Sequence, residues 1–458
     1  MIDVSPRSRP ALDPDFLPAA LWTRSYLAKA RQDLEIAVER SGGAVAVHKT
    51  RILPHEGPAV PLNELHVERL VKFLLWQKGG FRITISGEPA LAEHIRKTYS
   101  PEGRRAFDHE FMGEKVSRAP MVVEAGAPRE CTDSSSGLKL GGHLKGCRIG
   151  FDLGGSDRKA AAVIDGKVVF SEEVVWDPCP AKDPEWHYRE INDSLKRAAA
   201  HLPRVDAIGG SAAGIYVDNE VRVASLFRGV PPPLFDSKVR RIFFDLKKEW
   251  KGVPFVVVND GEVTALAGSM SLKRNAVLGI AMGTSEAAGY VDPTGRLTPW
   301  LNELAFAPIY YRADAPPDEW SGDIGCGVQY FSKQAVGRLL PASGIALPGG
   351  MKLPEKLKEV QSLMDKGDAR ARRIFETIGA YLGYAVAHYR DFYEFGSLLL
   401  LGRVMSGQGG ELILSAAKDV LKAEFPSIHE EVAFATLSER DKRHGQAIAA
   451  ASLPPSTT

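Results

Sequence analysis

Three short stretches combine residue types that can do chemistry. Asp152-Leu-Gly-Gly-Ser156 sets a carboxylate at the end of an apolar run, then two residues without side chains and a hydroxyl. Glycines let backbone N–H groups close on phosphate oxygens, and a nearby aspartate can hold the water shell of a Mg²⁺ ion that offsets the phosphate charge. Gly283-Thr284-Ser285 offers the same turn without the acid. Taken singly, each is an ordinary hairpin turn; as a pair in matching surroundings, a phosphate cradle is the better reading. Val256-Val-Val-Asn259-Asp260 ends an apolar run on a carboxylate. Such a group can take the proton of an acceptor hydroxyl in phosphoryl transfer, or it can cap the following helix, and the segment alone leaves both open.

The elements that must position these residues repeat. Ile149-Gly-Phe-Asp-Leu-Gly-Gly-Ser156 and Leu278-Gly-Ile-Ala-Met-Gly-Thr-Ser285 share strand, glycine turn and small hydroxyl residue. Each is followed by a second short strand and an Asp-containing turn, Asp165-Gly166 and Asp292-Pro-Thr-Gly295. Two halves built alike would set their hairpin turns facing each other across a cleft. The first half should open with three antiparallel strands over 147–153, 159–164 and 167–175. It should then alternate helix (186–201), strand (205–209), helix (237–250) and strand (253–259). The second half should end with a helix over 369–393, a strand over 397–401 and a helix from Glu411. Gly209-Gly-Ser-Ala-Ala-Gly214 fits neither the dinucleotide pattern nor a nucleophile elbow, so Ser211 is expected in a turn. No P-loop pattern is present.

In front of these halves, a helical stretch is expected over 21–38, Pro/Gly/His-rich sequence over 48–61, and a helix over 63–77 stopped by Gly79-Gly80. Phe81-Arg-Ile-Thr-Ile-Ser86 then alternates like a strand. Residues 125–146, including Asp133-Ser-Ser-Ser-Gly137, have the composition of a linker or an exposed loop. The expected domains are therefore 1–146, 147–275 and 276–458.

The chain has 458 residues, 58 Lys plus Arg and 57 Asp plus Glu, so its net charge is +1. Neither the first 146 residues (net +3) nor the rest (net −2) is polarised. A dedicated nucleic-acid or anionic-membrane surface is not indicated. Cys131, Cys147, Cys179 and Cys326 are far apart, without the spacing of a disulfide framework or a zinc knuckle. The N-terminal sequence lacks the apolar core of a signal peptide, and no apolar run is long enough to span a bilayer. A cytoplasmic protein is expected.

Asp152-Leu-Gly-Gly-Ser156, Gly210-Ser-Ala-Ala-Gly214, Asn259-Asp260, Gly283-Thr284-Ser285, Glu303-Leu-Ala-Phe306, Gly322-Asp-Ile-Gly-Cys326 and Leu401-Gly402 follow one another in order. The set resembles the ROK family of sugar kinases and repressors, within the superfamily of actin, sugar kinases and heat-shock ATPases. The resemblance covers about residues 147–451. It implies an α/β chain with a duplicated actin-like (ribonuclease H-like) ATPase fold, two halves around a nucleotide cleft, plus an N-terminal α/β extension. It implies ATP as cofactor, held at Gly154, Gly155 and Ser156 and at Gly283, Thr284 and Ser285, with Gly402 and Arg403 near the adenosine. Asp152 would organise Mg²⁺ through water, and Asp260 would be the catalytic base. Asn259 and Glu303 would contact the sugar. Arg228, where the family approaches its sugar, is either a partner for an anionic substituent or a solvated surface arginine.

The departures carry information too. The family's zinc-binding histidine corresponds to Phe306, the first cysteine of its zinc cluster to Ser321, and only Cys326 remains, so zinc is expected to be absent. The glutamate that ends the cluster corresponds to Val328, which removes a sugar-hydroxyl acceptor, so glucose specificity is not carried over. The expected function is ATP-dependent phosphoryl transfer to a hydroxyl of a sugar or sugar-like metabolite, by a carbohydrate kinase (a transferase). The alternative is a non-catalytic sugar or nucleotide sensor or regulator with the same fold. Residues 1–146 read as an appended lid or a dimerisation region, the latter making a homodimer, more readily than as a DNA-reading arm.

Overall fold

The computed structural model describes residues 2–133, 140–436 and 439–455, with the side chains of the last stretch described from Gly445 onward. Residues 134–139 of the expected linker lie outside the described residues. The chain forms two compact units. One comprises 1–134, 280–288 and 300–434, and the other 135–279, 289–299 and 435–458. The N-terminal segment and most of the second half thus fall in one unit, a grouping that cuts the chain differently from the boundaries read in the sequence.

In the first unit, β1 (Gln32–Glu39) pairs antiparallel with β2 (Val45–Ile52) and with β3 (Arg82–Ser86), and β3 pairs parallel with β4 (Val122–Ala125). The helical stretch expected over 21–38 is therefore a helix, Ala19–Leu27, followed by a strand. Leu34, Ile36 and Val38 alternate at the period of a strand and are buried on one face, and Gly42 and Gly43, both at positive φ, turn the chain back into β2. The Val60–Lys78 helix joins β2 to β3 and is buried on nearly every side, even at Glu68, Arg69, Lys72 and Gln77. The segment ahead of β1 packs on the Ala369–Tyr389 helix. The hydroxyls of Tyr381 and Tyr384 donate to Asp13 Oδ2 (2.6 Å) and to the Ser8 carbonyl (2.9 Å), and Arg24 pairs with Asp391 at 2.9 Å.

The second unit holds β5 (Cys147–Leu153), β6 (Asp157–Ile164), β7 (Lys167–Val175), β8 (Ala207–Ala212), β9 (Ile215–Val217), β10 (Glu220–Val223) and β11 (Phe255–Asn259). The main sheet runs β11-β8-β5-β6-β7, with β5, β6 and β7 antiparallel and β5, β8 and β11 parallel. The Pro184–Ala199 and Ile242–Glu249 helices bury Ile191, Leu195, Phe243 and Leu246 in its main core. A Cβ on Gly150 or Gly209 would run into the backbone of the Glu439–Ala451 helix, so these glycines let that helix lie directly on β5 and β8. Ser211 is in strand β8, not in a turn: the glycines around it serve strand and helix packing.

The later strands are β12 (Val277–Met282), β13 (Glu286–Val291), β14 (Ser397–Leu401) and β15 (Ala433–Ala435), in the order β13-β12-β14-β15. The plan of the earlier sheet recurs: the first strand lies between its hairpin successor and a later strand, as β5 lies between β6 and β8. Among the described residues the second copy has four strands where the first has five. The Gly407–Glu424 helix, which starts four residues before Glu411, packs against the Ala369–Tyr389 helix where Gly379 and Gly383 permit close approach. No helix among the described residues is long and apolar enough to cross a membrane.

Candidate active site

In the second unit the parallel register sets Asp152 level with Ser211 and Ser211 level with Val258, so Asn259 and Asp260 lie one step further along the same sheet edge. The Ser211 hydroxyl donates to Asp152 Oδ1 at 2.6 Å. Burial raises the pKa of Asp152, and the Ser211 bond opposes that shift. Asn259 caps the Asp260–Leu272 helix: its Oδ1 accepts from the Gly261 N–H at 2.7 Å and its Nδ2 donates to the Gly214 carbonyl at 2.7 Å. The cap is thus Asn259. Asp260 is the first helical residue, and its carboxylate accepts from the neighbouring Gly261 N–H, at 3.0 Å. Burial, and then the charge of Asp152, push Asp260 up to about 6. A negative charge at the same end of the sheet makes it harder for Asp260 to ionise.

The turn of Gly154, Gly155 and Ser156 is closed by the Gly154 N–H on the Asp157 carbonyl at 2.9 Å. Trp176 staples it: its indole N–H donates to the Gly154 carbonyl (2.8 Å) and its backbone N–H to the Ser156 carbonyl (3.2 Å). The Ser156 hydroxyl donates to Asp157 at 2.9 Å. Arg228 ends a single 3-10 turn and is exposed, with no ion pair among the described residues. The sequence did not single out Trp176, and Ser211 was read as a turn residue. Each lies far along the chain from the group it holds.

In the first unit the Gly283–Ser285 turn is closed by the Gly283 N–H on the Ser285 carbonyl at 2.9 Å. Lys333 opens the Lys333–Ser343 helix beside it, with its Nζ donating to Thr284 Oγ1 at 3.1 Å. Gly402 has φ 95°, and a Cβ there would strike the Met282 carbonyl, so only glycine lets β14 end against β12 and lead on to Arg403. Glu303 precedes a 3-10 turn, Leu304–Phe306, that docks on the end of the Val60–Lys78 helix. The N–H groups of Asn302 and Glu303 donate to the Gln77 and Trp76 carbonyls at 3.0 and 2.9 Å. Those carbonyls are among the ones a helix C-terminus leaves without internal partners. Glu286, just past the turn, is buried, and among the described residues neither carboxyl oxygen is hydrogen-bonded.

Where the resemblance maps a zinc motif, Cys326, Val328 and Ala305 form an apolar cluster with Phe306 against it. Burial, and then Asp323, push the Cys326 thiol far above its ordinary pKa, the opposite of what a zinc-bound thiolate needs. Among the described residues no group of three metal-ligating side chains occurs. The loop around Asp323 is instead held by a buried ion network. Asp323 faces Arg69 (3.3 Å), Lys72 (3.4 Å) and Arg105; Glu68 pairs with Arg69 (2.5 Å) and Arg105 (2.6 Å); Asp108 pairs with Lys72 at 2.8 Å. Three cations meet three anions. Burial opposes the charge of Lys72, but Asp108 and Asp323 outweigh it and hold its pKa above the usual lysine range.

No family model matches the chain, and no curated protein matches it. Solved structures do. A ROK hexokinase from Thermus thermophilus is 21% identical, with 66% of this chain and 97% of that one covered at a TM-score of 0.51. A ROK family transcriptional regulator, homologous to the E. coli MLC protein, is 18% identical, with 67% of this chain and 78% of that one covered at a TM-score of 0.50. At these identities the likeness establishes the fold: the chain carries the duplicated actin-like ATPase fold that ROK sugar kinases and ROK regulators share, as its motifs implied.

Proposed function

We propose that the chain is an ATP- and Mg²⁺-dependent kinase acting on a hydroxyl of a sugar or sugar-like metabolite. The observation that supports this most is Asp260, a carboxylate at a strand edge, relieved of helix capping by Asn259 and pushed up to about 6. A base with that pKa is ionised at neutral pH yet basic enough to accept a proton in the transition state. As the acceptor oxygen bonds to the terminal phosphorus, its proton passes to Asp260, and the bond to the bridging oxygen breaks with its electron pair leaving on ADP. The Gly154–Ser156 and Gly283–Ser285 turns are assigned to the triphosphate, Gly402 to the adenosine, Arg403 to the nucleotide cofactor, and Asn259, Glu303 and Arg228 to the acceptor.

Asp152 would fit a Mg²⁺ ion held through water, because such an ion keeps several of its waters and a carboxylate can accept hydrogen bonds from them. When bound, the ion would offset the negative charge of the phosphates. Ser211 orients Asp152 for that task.

The test is ATP consumption against a panel of monosaccharides and amino sugars, with Asp260→Asn as control. Turnover with at least one acceptor, lost in the variant, is expected. If no acceptor gives turnover above the variant while sugars still bind, the chain is a sensor with a kinase fold and the proposal fails.

A further inference from the structure

We infer that Lys333 and Arg403 form a side-chain clamp that binds a phosphate of the donor's phosphate chain at the Gly283–Ser285 turn. This rests on the assignment of that turn to phosphate. The motifs that carry the family resemblance do not include Lys333.

Lys333 is only 5% exposed, yet among the described residues its ammonium has one hydrogen-bond partner, Thr284 Oγ1, and no carboxylate within ion-pairing distance. Lys72, also buried, has both Asp108 and Asp323. The second group acting on Lys333 is another cation: burial first, and then Arg403, hold its pKa below the ordinary lysine range. Two like charges kept together beside a glycine turn, one of them desolvated, cost stability unless something anionic completes them.

The surroundings define that anion. The Lys333 backbone N–H is bonded to the Gly283 carbonyl at 3.0 Å, which locks the base of the ammonium to the turn. Gly402 brings the chain against Met282, one residue before the turn, so the backbone of Arg403 follows directly from that contact. Thr284 adds a hydroxyl. An ammonium, a guanidinium and a hydroxyl around a turn suit a compact, multiply charged oxyanion that accepts several hydrogen bonds, as a phosphate does.

The experiment is calorimetric titration of the full-length protein with inorganic tripolyphosphate and with ATP, both with Mg²⁺. Tripolyphosphate separates a phosphate contact from a nucleoside contact. Lys333→Met should weaken both by roughly ten- to a hundredfold, the worth of a hydrogen bond to a charged group. Arg403→Ala should weaken them less, because that side chain is exposed. Lys333→Arg should recover part of the loss. Wild-type affinity in Lys333→Met overturns the clamp. Should that variant not fold, unchanged tripolyphosphate affinity in Arg403→Ala overturns it instead. If the wild type binds neither ligand, the phosphate assignment falls and the clamp with it. If no sugar is ever phosphorylated but tripolyphosphate binding depends on Lys333, the clamp stands and only the kinase reading fails.

Discussion

The indole of Trp76 stacks on the ring of Phe306, with centroids 4.2 Å apart, while its N–H donates to Asp108 at 2.8 Å. One side chain therefore joins the apolar cluster, at the position the resemblance gives to a zinc ligand, with the buried ion network around Asp323. A structural zinc ties two loops together by binding side chains from both. Here the Val60–Lys78 helix makes the ties, holding Glu303 by a carbonyl, Phe306 by a ring and Asp323 by Arg69 and Lys72. The N-terminal segment thereby supports the segment that carries the candidate acceptor contact.

Chelation should accordingly leave the melting temperature unchanged, and added zinc should not raise it. Asp323→Ala should cost about 3–5 kcal/mol, because it strands buried cations without their partner. A melting temperature that drops with chelator would mean that a metal holds these loops after all.

Asp260 sets a pH dependence. With its pKa at about 6, kcat/KM should fall on the acid side of that value, by about tenfold per pH unit once the base is protonated. Asp260→Asn should abolish this limb and lower kcat by at least about a hundredfold. Ser211→Ala removes the bond that opposes the burial shift of Asp152. It should raise the Mg²⁺ concentration needed for half-maximal rate and leave the sugar KM unchanged; the reverse pattern would remove Asp152 from the metal's shell.

Gly402 tests the close approach of β14 to β12. Its φ of 95° and the Met282 carbonyl beside it leave no place for a Cβ. Gly402→Ala should cost about 1–3 kcal/mol in strain and weaken ATP binding by displacing Arg403. A variant with wild-type melting and wild-type ATP affinity would show that the turn has slack.

The parts of the fold legible in the sequence were those whose signals are local. The Asp165-Gly166 turn between two β-branched runs gave the β6-β7 hairpin, and the paired glycine turns gave the duplication. The β1 strand is obscured because the Ala19–Leu27 helix runs into it with few breakers between them, so its period of two merges with the helical pattern ahead of it. Site residues were legible where they belonged to a motif, as Asp152 and Asp260 do. The roles of Ser211, although it lies in the Gly210–Gly214 motif, and of Lys333 were not legible, because 59 and 49 residues separate them from Asp152 and Thr284. Sheet register and a helix start bring these pairs together, and neither leaves a mark in the local pattern.

Glu286 gives stability its own pH signature. It is 2% exposed, neither of its oxygens is hydrogen-bonded, and burial, then the charge of Glu303, push its pKa from about 4.5 up to about 8. An acid whose pKa is higher folded than unfolded takes up a proton on folding. Its contribution is fully present below the unfolded value near 4.5 and is lost as pH rises through about 8. Each unit of such a shift corresponds to about 1.4 kcal/mol. Glu286→Gln keeps the shape and cannot ionise. Thermal melting across this range should show the wild type losing stability as pH rises and the variant overtaking it on the alkaline side. Parallel curves for the two proteins would mean that the Glu286 carboxyl finds a partner in solution, and the penalty assigned to it would have to be abandoned.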